Sequence, residues 1–167
     1  TRGTTFTTTV DSVSYNYIVK DDTTISPVSG VYTFSELPVY EGTLVENKFT
    51  VDTTNADQRF LIRNKNADTT TLKVSVQNSS TDSTTATYTK STDLADVSST
   101  STVYFLEGAE DEQYEVIFGD GVLGKALSTG NIVTLSYIVT SGVDSNGATS
   151  FSLSGNIAGS SSATVTT

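Results

Sequence analysis

The chain has 167 residues, 35% hydrophobic and 17% charged, with a formal net charge of −10 at pH 7 and no His, Cys, Met or Trp. Without His or Cys its own residues cannot build a Ser-His-Asp or Cys-His nucleophile system, an imidazole or thiolate zinc site, or a disulfide. A charge of this sign repels phosphate backbones and anionic bilayers, and no apolar run approaches the roughly 20 residues that span a membrane; nucleic acid and membranes are therefore not expected as partners.

The length allows one ordinary domain or two small β lobes. A low hydrophobic fraction calls for short strands with one buried face. Runs such as Thr7-Thr8-Thr9, Thr69-Thr70-Thr71 and Ser98-Ser99-Thr100-Ser101-Thr102 supply β-branched or small polar residues that suit a half-exposed strand. The chain opens Thr1-Arg2-Gly3 with no signal-peptide pattern, which leads to the expectation of a segment excised from a longer protein.

In chain order, Val13 to Val19 alternates with Val13, Tyr15 and Tyr17 on one face. Turn signals follow at Asp21-Asp22 and Ser29-Gly30. Val39 to Val45, Lys48 to Val51 and Gln58 to Ile62 read as strands, punctuated by Asn55-Ala56-Asp57 and Asn64-Lys65-Asn66. The clearest alternation is Leu72 to Gln77, with Leu72, Val74 and Val76 on one face, closed by Asn78-Ser79-Ser80. Thr92 to Val97 is the single helix candidate, one or two turns behind a capping residue. Val103 to Leu106, Tyr114 to Phe118 and Ile132 to Val139 are strands, and the last has apolar residues on both faces. Asp144-Ser145-Asn146-Gly147 is a turn, and the Gly/Ser/Ala-rich end from Gly155 is either linker or a last strand at Ala163 to Thr166. The expectation is an all-β chain of short antiparallel strands in one or two sandwich-like lobes, with at most one short helix.

One segment invites a different reading. Gly119-Asp120-Gly121-Val122-Leu123-Gly124 matches the dinucleotide pattern G-x-G-x-x-G, and Gly119 to Lys125 matches the phosphate-loop pattern in another frame. Both motifs need a helix after the glycines, because its free N–H groups and dipole hold the phosphate. Here Ala126-Leu127-Ser128-Thr129-Gly130 and a β-rich run follow, and Ala126 stands where Ser or Thr would hold the metal. The structural reading is a strand and a tight turn in which Asp120-Gly121 is the turn pair. Gly119 and Gly124 belong to this glycine-rich turn and short crossing, and Gly130-Asn131 is a second turn. The acids Glu107, Glu110, Asp111, Glu112 and Glu115 sit in one loop and read as a solvated hairpin connection. Calcium remains open there, although the spacing departs from the Asp-x-Asp-x-Asp-Gly pattern. No cofactor, metal or catalytic residue is expected. The 8 Tyr and 7 Phe are read mainly as core, with a sugar-stacking surface as the alternative.

The order of these features resembles a known family. Tyr104-Phe105-Leu106-Glu107, Tyr114-Glu115-Val116-Ile117-Phe118-Gly119-Asp120-Gly121, Leu123-Gly124-Lys125, Gly130-Asn131 and Tyr137 are similar to a pattern in baseplate wedge proteins of contractile-tailed, T-even-type bacteriophages, related to the baseplate J family. Tyr40-Glu41-Gly42-Thr43, Phe49, Gln58-Arg59-Phe60-Leu61-Ile62 and Thr69-Thr70-Thr71-Leu72 resemble the segment before that strand. Arg2-Gly3-Thr4-Thr5-Phe6 resembles the strand that opens the J-like region. The family's Gly-Gly and acid-Ser continuation is missing, as expected of a piece from the middle of a larger subunit. The resemblance implies a non-enzymatic structural subunit of the virion, assembled in the host cytoplasm. Its expected partners are copies of itself and other baseplate wedge proteins, with no small-molecule substrate. It also implies a layout in which residues 1–45 and 141–167 form a J-like β lobe and residues 46–140 an inserted β lobe. A carbohydrate-binding, adhesin-like β-sandwich is the alternative reading.

Overall fold

The computed structural model describes residues 1–157, 159–161 and 163–165. Eleven strands occur among them: β1 (Thr5–Val10), β2 (Val13–Val19), β3 (Val39–Glu41), β4 (Thr43–Thr50), β5 (Phe60–Ile62), β6 (Ala67–Gln77), β7 (Thr85–Lys90), β8 (Val103–Gly108), β9 (Tyr114–Phe118), β10 (Ile132–Val139) and β11 (Ser152–Ser154). Two short 3-10 turns, Glu110–Glu112 and Gly142–Ser145, complete the secondary structure. The chain is all-β, in two sheets ordered β11-β1-β2-β3 and β4-β10-β6-β7-β8-β9-β5. It divides into two units, Thr1–Leu44 with Ile138–Thr167, and Val45–Tyr137, so the divisions fall inside β4 and β10.

The first unit is built on the β1–β2 hairpin. Asp11 and Ser12 between the strands both have positive φ, 48° and 68°, the backbone hand that matches strand twist in a two-residue turn. The register pairs Phe6 with Tyr17 and Val10 with Val13, while β3 adds to β2 and β11 to β1. Phe6, Ile18, Val19 and Ile138 are buried here. Gly42 ends β3 at φ +131°, and a Cβ there would lie 2.2 Å from the Val139 carbonyl oxygen. Only glycine allows this approach, so the chain breaks at 42 rather than between Val45 and Lys48. The two strands expected at Val39 to Val45 and Lys48 to Val51 are thus redistributed as β3 and the longer β4.

The second unit holds most of the core. Ile62, Val74, Val116, Val133 and Leu135 are wholly or almost wholly buried, with Tyr88, Tyr104 and Tyr137 beside them as buried aromatics. Four rings form a chain of edge-to-face pairs: Phe49 to Phe60 at 5.5 Å, Phe60 to Phe118 at 5.2 Å, and Phe118 to Tyr88 at 5.4 Å. Phe49 lies on β4 and Phe60 on β5, the two edges of the seven-stranded sheet, so the pairing brings these edges together into a nearly closed barrel. Gln58 ties the same seam, donating to the Thr50 carbonyl at 2.8 Å and accepting from the Asp52 N–H at 2.9 Å. Edges drawn together by side chains in this way are less accessible to a further strand.

Strand β7 runs parallel to β8, with Thr89 opposite Val103. Two consecutive parallel strands cannot be joined by a tight turn and need a crossover of about a dozen residues. Residues 91–102 supply that crossover. The helix expected at Thr92 to Val97 is not formed. Asp93 Oδ1 instead accepts the Ala95 N–H at 2.9 Å, and Val97 donates to the Leu94 carbonyl at 3.3 Å, which makes turns. A six-residue helix lacks the length to repay its nucleation. The strand considered at Ala163 to Thr166 is absent over 163–165, and Thr166 lies outside the described residues; among the described residues the last strand is β11.

Candidate functional site

The segment singled out by its glycines lies directly after β9. At Gly119 the backbone crosses Gly124 so closely that a Cβ would stand 2.2 Å from the Gly124 carbonyl carbon. Gly121 and Gly124 have φ +89° and +90°, a region that residues with a Cβ enter only under strain. Asp120 organises the loop between them. Its Oδ1 accepts the N–H groups of Val122 and Leu123, each at 2.8 Å. These bonds, from Leu123 first and Val122 second, hold the Asp120 carboxyl below the usual carboxylate range. Gly121 donates to the Gly124 carbonyl at 3.0 Å.

A second loop braces the first. Gly124 donates to the Ser98 carbonyl at 3.1 Å and Lys125 to the Ser101 carbonyl at 2.8 Å, tying residues 119–125 to the β7–β8 crossover. Gly130, at φ +90°, donates to the Val51 carbonyl at 2.9 Å. Its neighbour Asn131 accepts from the Ser128 N–H and donates to the Asn78 carbonyl.

This arrangement bears on the glycine pattern shared with nucleotide-binding loops. A phosphate cradle needs free main-chain N–H groups, but those of residues 121 to 125 are all consumed within the two loops. No helix directly follows Lys125; Gly119 and Ala126 form an isolated parallel bridge, and the next element is β10. Lys125 does line a cavity, with Val76, Asn78, Tyr88 and Asn131, but its volume is about 140 Å³. Pockets that enclose a small-molecule ligand run from about 300 Å³ upward.

The acidic loop between β8 and β9 is a hairpin connection. Asp111 and Glu112 have positive φ, and Gln113 and Ala109 close the loop through main-chain hydrogen bonds. Glu115 accepts both Arg59 Nε at 3.0 Å and Arg59 Nη2 at 2.6 Å, and Lys65 stands 3.8 Å from Glu112. Among the described residues no three acids are grouped to hold a metal ion. Of the Tyr and Phe side chains only Tyr32 is strongly exposed, so the described residues present no row of aromatics for stacking on sugars.

Exposed aliphatic side chains stand out instead. In the second unit Val122 is 72% exposed, Leu94 55% and Leu123 42%, all on the two loops tied through Gly124 and Lys125. In the first unit Val28, Val31 and Tyr32 are exposed around the Ser29-Gly30 turn. Reading the residues in order missed both groups, because a Val or Leu near a glycine carries no mark of whether it points inward. The one available signal was the Val122-Leu123 pair inside a turn that otherwise has glycines and an aspartate.

Comparison with known proteins adds one finding. The family model described as bacteriophage baseplate wedge protein gp6, third domain, matches residues 44–144. No curated protein matches the chain at a significant level.

Proposed function

Because the chain belongs to the bacteriophage baseplate wedge protein gp6 family, matching its third domain over residues 44–144, we propose that it works by associating with copies of itself and with other wedge subunits, without catalysis. The coarser role follows from membership itself: the chain is a structural part of a phage baseplate and a component of the virion tail. The family match is the observation that carries the reading. The glycine turn is compatible with it, since the N–H groups of residues 121 to 125 are engaged within the two loops and the adjoining cavity, about 140 Å³, is smaller than the pockets of about 300 Å³ and more that enclose drug-sized ligands.

Assembly of this kind needs rigid β lobes that display loops and apolar side chains. We read residues 46–140 as an inserted lobe within a J-like lobe made of residues 1–45 and 141–167. The division of the chain inside β4 and β10 supports this layout. Nucleic acid, membranes and small molecules play no part in the reading, and assembly takes place in the host cytoplasm before the virion is released. Sedimentation velocity tests it, run on the chain alone and mixed with the other wedge subunits of the same phage. The expected result is concentration-dependent self-association and a faster-sedimenting mixed species. A chain that stays monomeric and sediments independently of every wedge subunit refutes the proposal.

A further inference from the structure

We propose that the paired loops carrying Leu94, Val122 and Leu123 are a docking tip for a different baseplate protein, one that offers an apolar recess rimmed by Lys or Arg. This rests on the assembly reading above and specifies the surface and the partner's chemistry.

The first ground is preorganisation. A hydrophobic side chain on a slack loop can be exposed by accident, since single exposed aliphatics are common. These loops are fastened. Asp120 Oδ1 holds the N–H groups of the very residues whose side chains point outward, Val122 and Leu123. Gly124 and Lys125 are bonded to Ser98 and Ser101 of the crossover that carries Leu94. Loops already held in one shape lose little conformational entropy on binding. The glycines at 119 and 124 make the crossing possible, so the turn's geometry and its exposed apolar pair come from the same few residues.

The second ground is where this unit exposes its apolar side chains. Its sheet edges β4 and β5 are drawn together by Phe49, Phe60 and Gln58, which leaves strand addition at that seam disfavoured. The exposed large aliphatic side chains of this unit, among the described residues, are Leu94, Val122 and Leu123 on the two loops.

The third ground selects the occupant. The two loops carry Asp93, Asp96 and Asp120 against a single cation, Lys125, which lines the neighbouring cavity. In a two-fold contact between copies the same patch meets itself, so these carboxylates would face one another in a chain already at net charge −10. A basic rim around an apolar recess reverses the sign of that interaction.

The test uses the full-length wedge subunit in assembled baseplates, with the photo-crosslinking residue p-benzoylphenylalanine in place of Val122. Irradiation should join this position to a different baseplate protein, at a peptide containing Lys or Arg. Asp96→Lys in the same subunit should cut the cross-link yield several-fold without changing the subunit's folding, because Asp96 is exposed. A cross-link to another copy overturns the choice of partner. A subunit that enters the baseplate yet gives no cross-link at 122 overturns the docking tip itself. A yield unaffected by Asp96→Lys overturns the charge argument. Exclusion of the unmodified subunit from baseplates would instead sink the assembly reading on which the proposal stands.

Discussion

Replacing Gly119 by Ala separates crowding from backbone strain. The added methyl carbon would lie 2.2 Å from the Gly124 carbonyl carbon and 2.4 Å from its oxygen, where ordinary contact starts at 3.4 Å. The crossing must therefore open by about 1 Å, against atoms that belong to the backbone and cannot swing aside. Overpacking of this kind costs about 1–3 kcal/mol. Opening the crossing also loosens the Gly121 to Gly124 and Gly124 to Ser98 hydrogen bonds, at about 1 kcal/mol each. The expected loss is about 3–5 kcal/mol, or a fall in melting temperature of about 6–20 °C for a domain of this size. Gly121→Ala is the control. There φ is +89° but the nearest atom to the new Cβ is 3.7 Å away, so only backbone strain of about 1 kcal/mol applies. Urea unfolding of both variants, followed by far-ultraviolet circular dichroism, gives the comparison. A Gly119→Ala protein with the wild-type midpoint, or a Gly121→Ala protein that is the less stable of the two, would refute the reasoning.

Further expectations follow from the same geometry. Gly121→Val should cost at least about 1 kcal/mol, because a β-branched residue is poorly tolerated at positive φ; an unchanged urea midpoint would remove the turn as a source of stability. Phe60→Ala should remove two edge-to-face pairs and part of a half-buried ring, for a loss of about 3 kcal/mol. It should also raise light scattering on mild heating as the β4 and β5 edges part, whereas Phe60→Leu should scatter little. The Asp120 carboxyl titrates below the unfolded value of about 3.9 because it accepts two main-chain N–H groups. Its contribution is therefore complete above that value and is lost as pH falls through the lower folded one. Asp120→Asn keeps an acceptor without the titration, so its melting temperature should fall less than wild type between about pH 5 and about pH 3; parallel profiles would contradict this. Asp82 and Asp52, lowered by Asn78 and Thr54 respectively, leave some acid sensitivity in that variant.

Much of the fold was legible in residue order where the period is strong. Leu72, Val74 and Val76 alternate, and Val74 and Val76 are buried in β6. Val133, Leu135 and Tyr137 are buried on one side of β10 while Ile138 is buried on the other, as its doubly apolar pattern requires. Strand β7, Thr-Ala-Thr-Tyr-Thr-Lys, escaped notice because Tyr88 is its one large apolar residue; pairing with Val74 of β6 gives it a place in the sheet. Thr92 to Val97 has the composition of a short helix start, yet Asp93 spends its carboxylate on an Ala95 turn, and the crossover is held by bonds to Gly124 and Lys125.

By itself the sequence determined the chemistry that the chain lacks, since a missing His or Cys cannot be restored by folding, and it determined the β period, since alternation is a property of neighbours. The tertiary structure alone showed how the Gly119 to Lys125 segment is held. Residue order already favoured a turn, because no helical run follows Lys125 and Ala126 stands where Ser or Thr would be needed, but it did not show what braces the loop. The bracing lies in which carbonyls receive the loop's N–H groups, and two of those carbonyls, on Ser98 and Ser101, come from the crossover between two parallel strands. Bonds between residues so far apart in the chain leave no local period. The same long-range bonds fix Val122, Leu123 and Leu94 on two braced loops facing solvent.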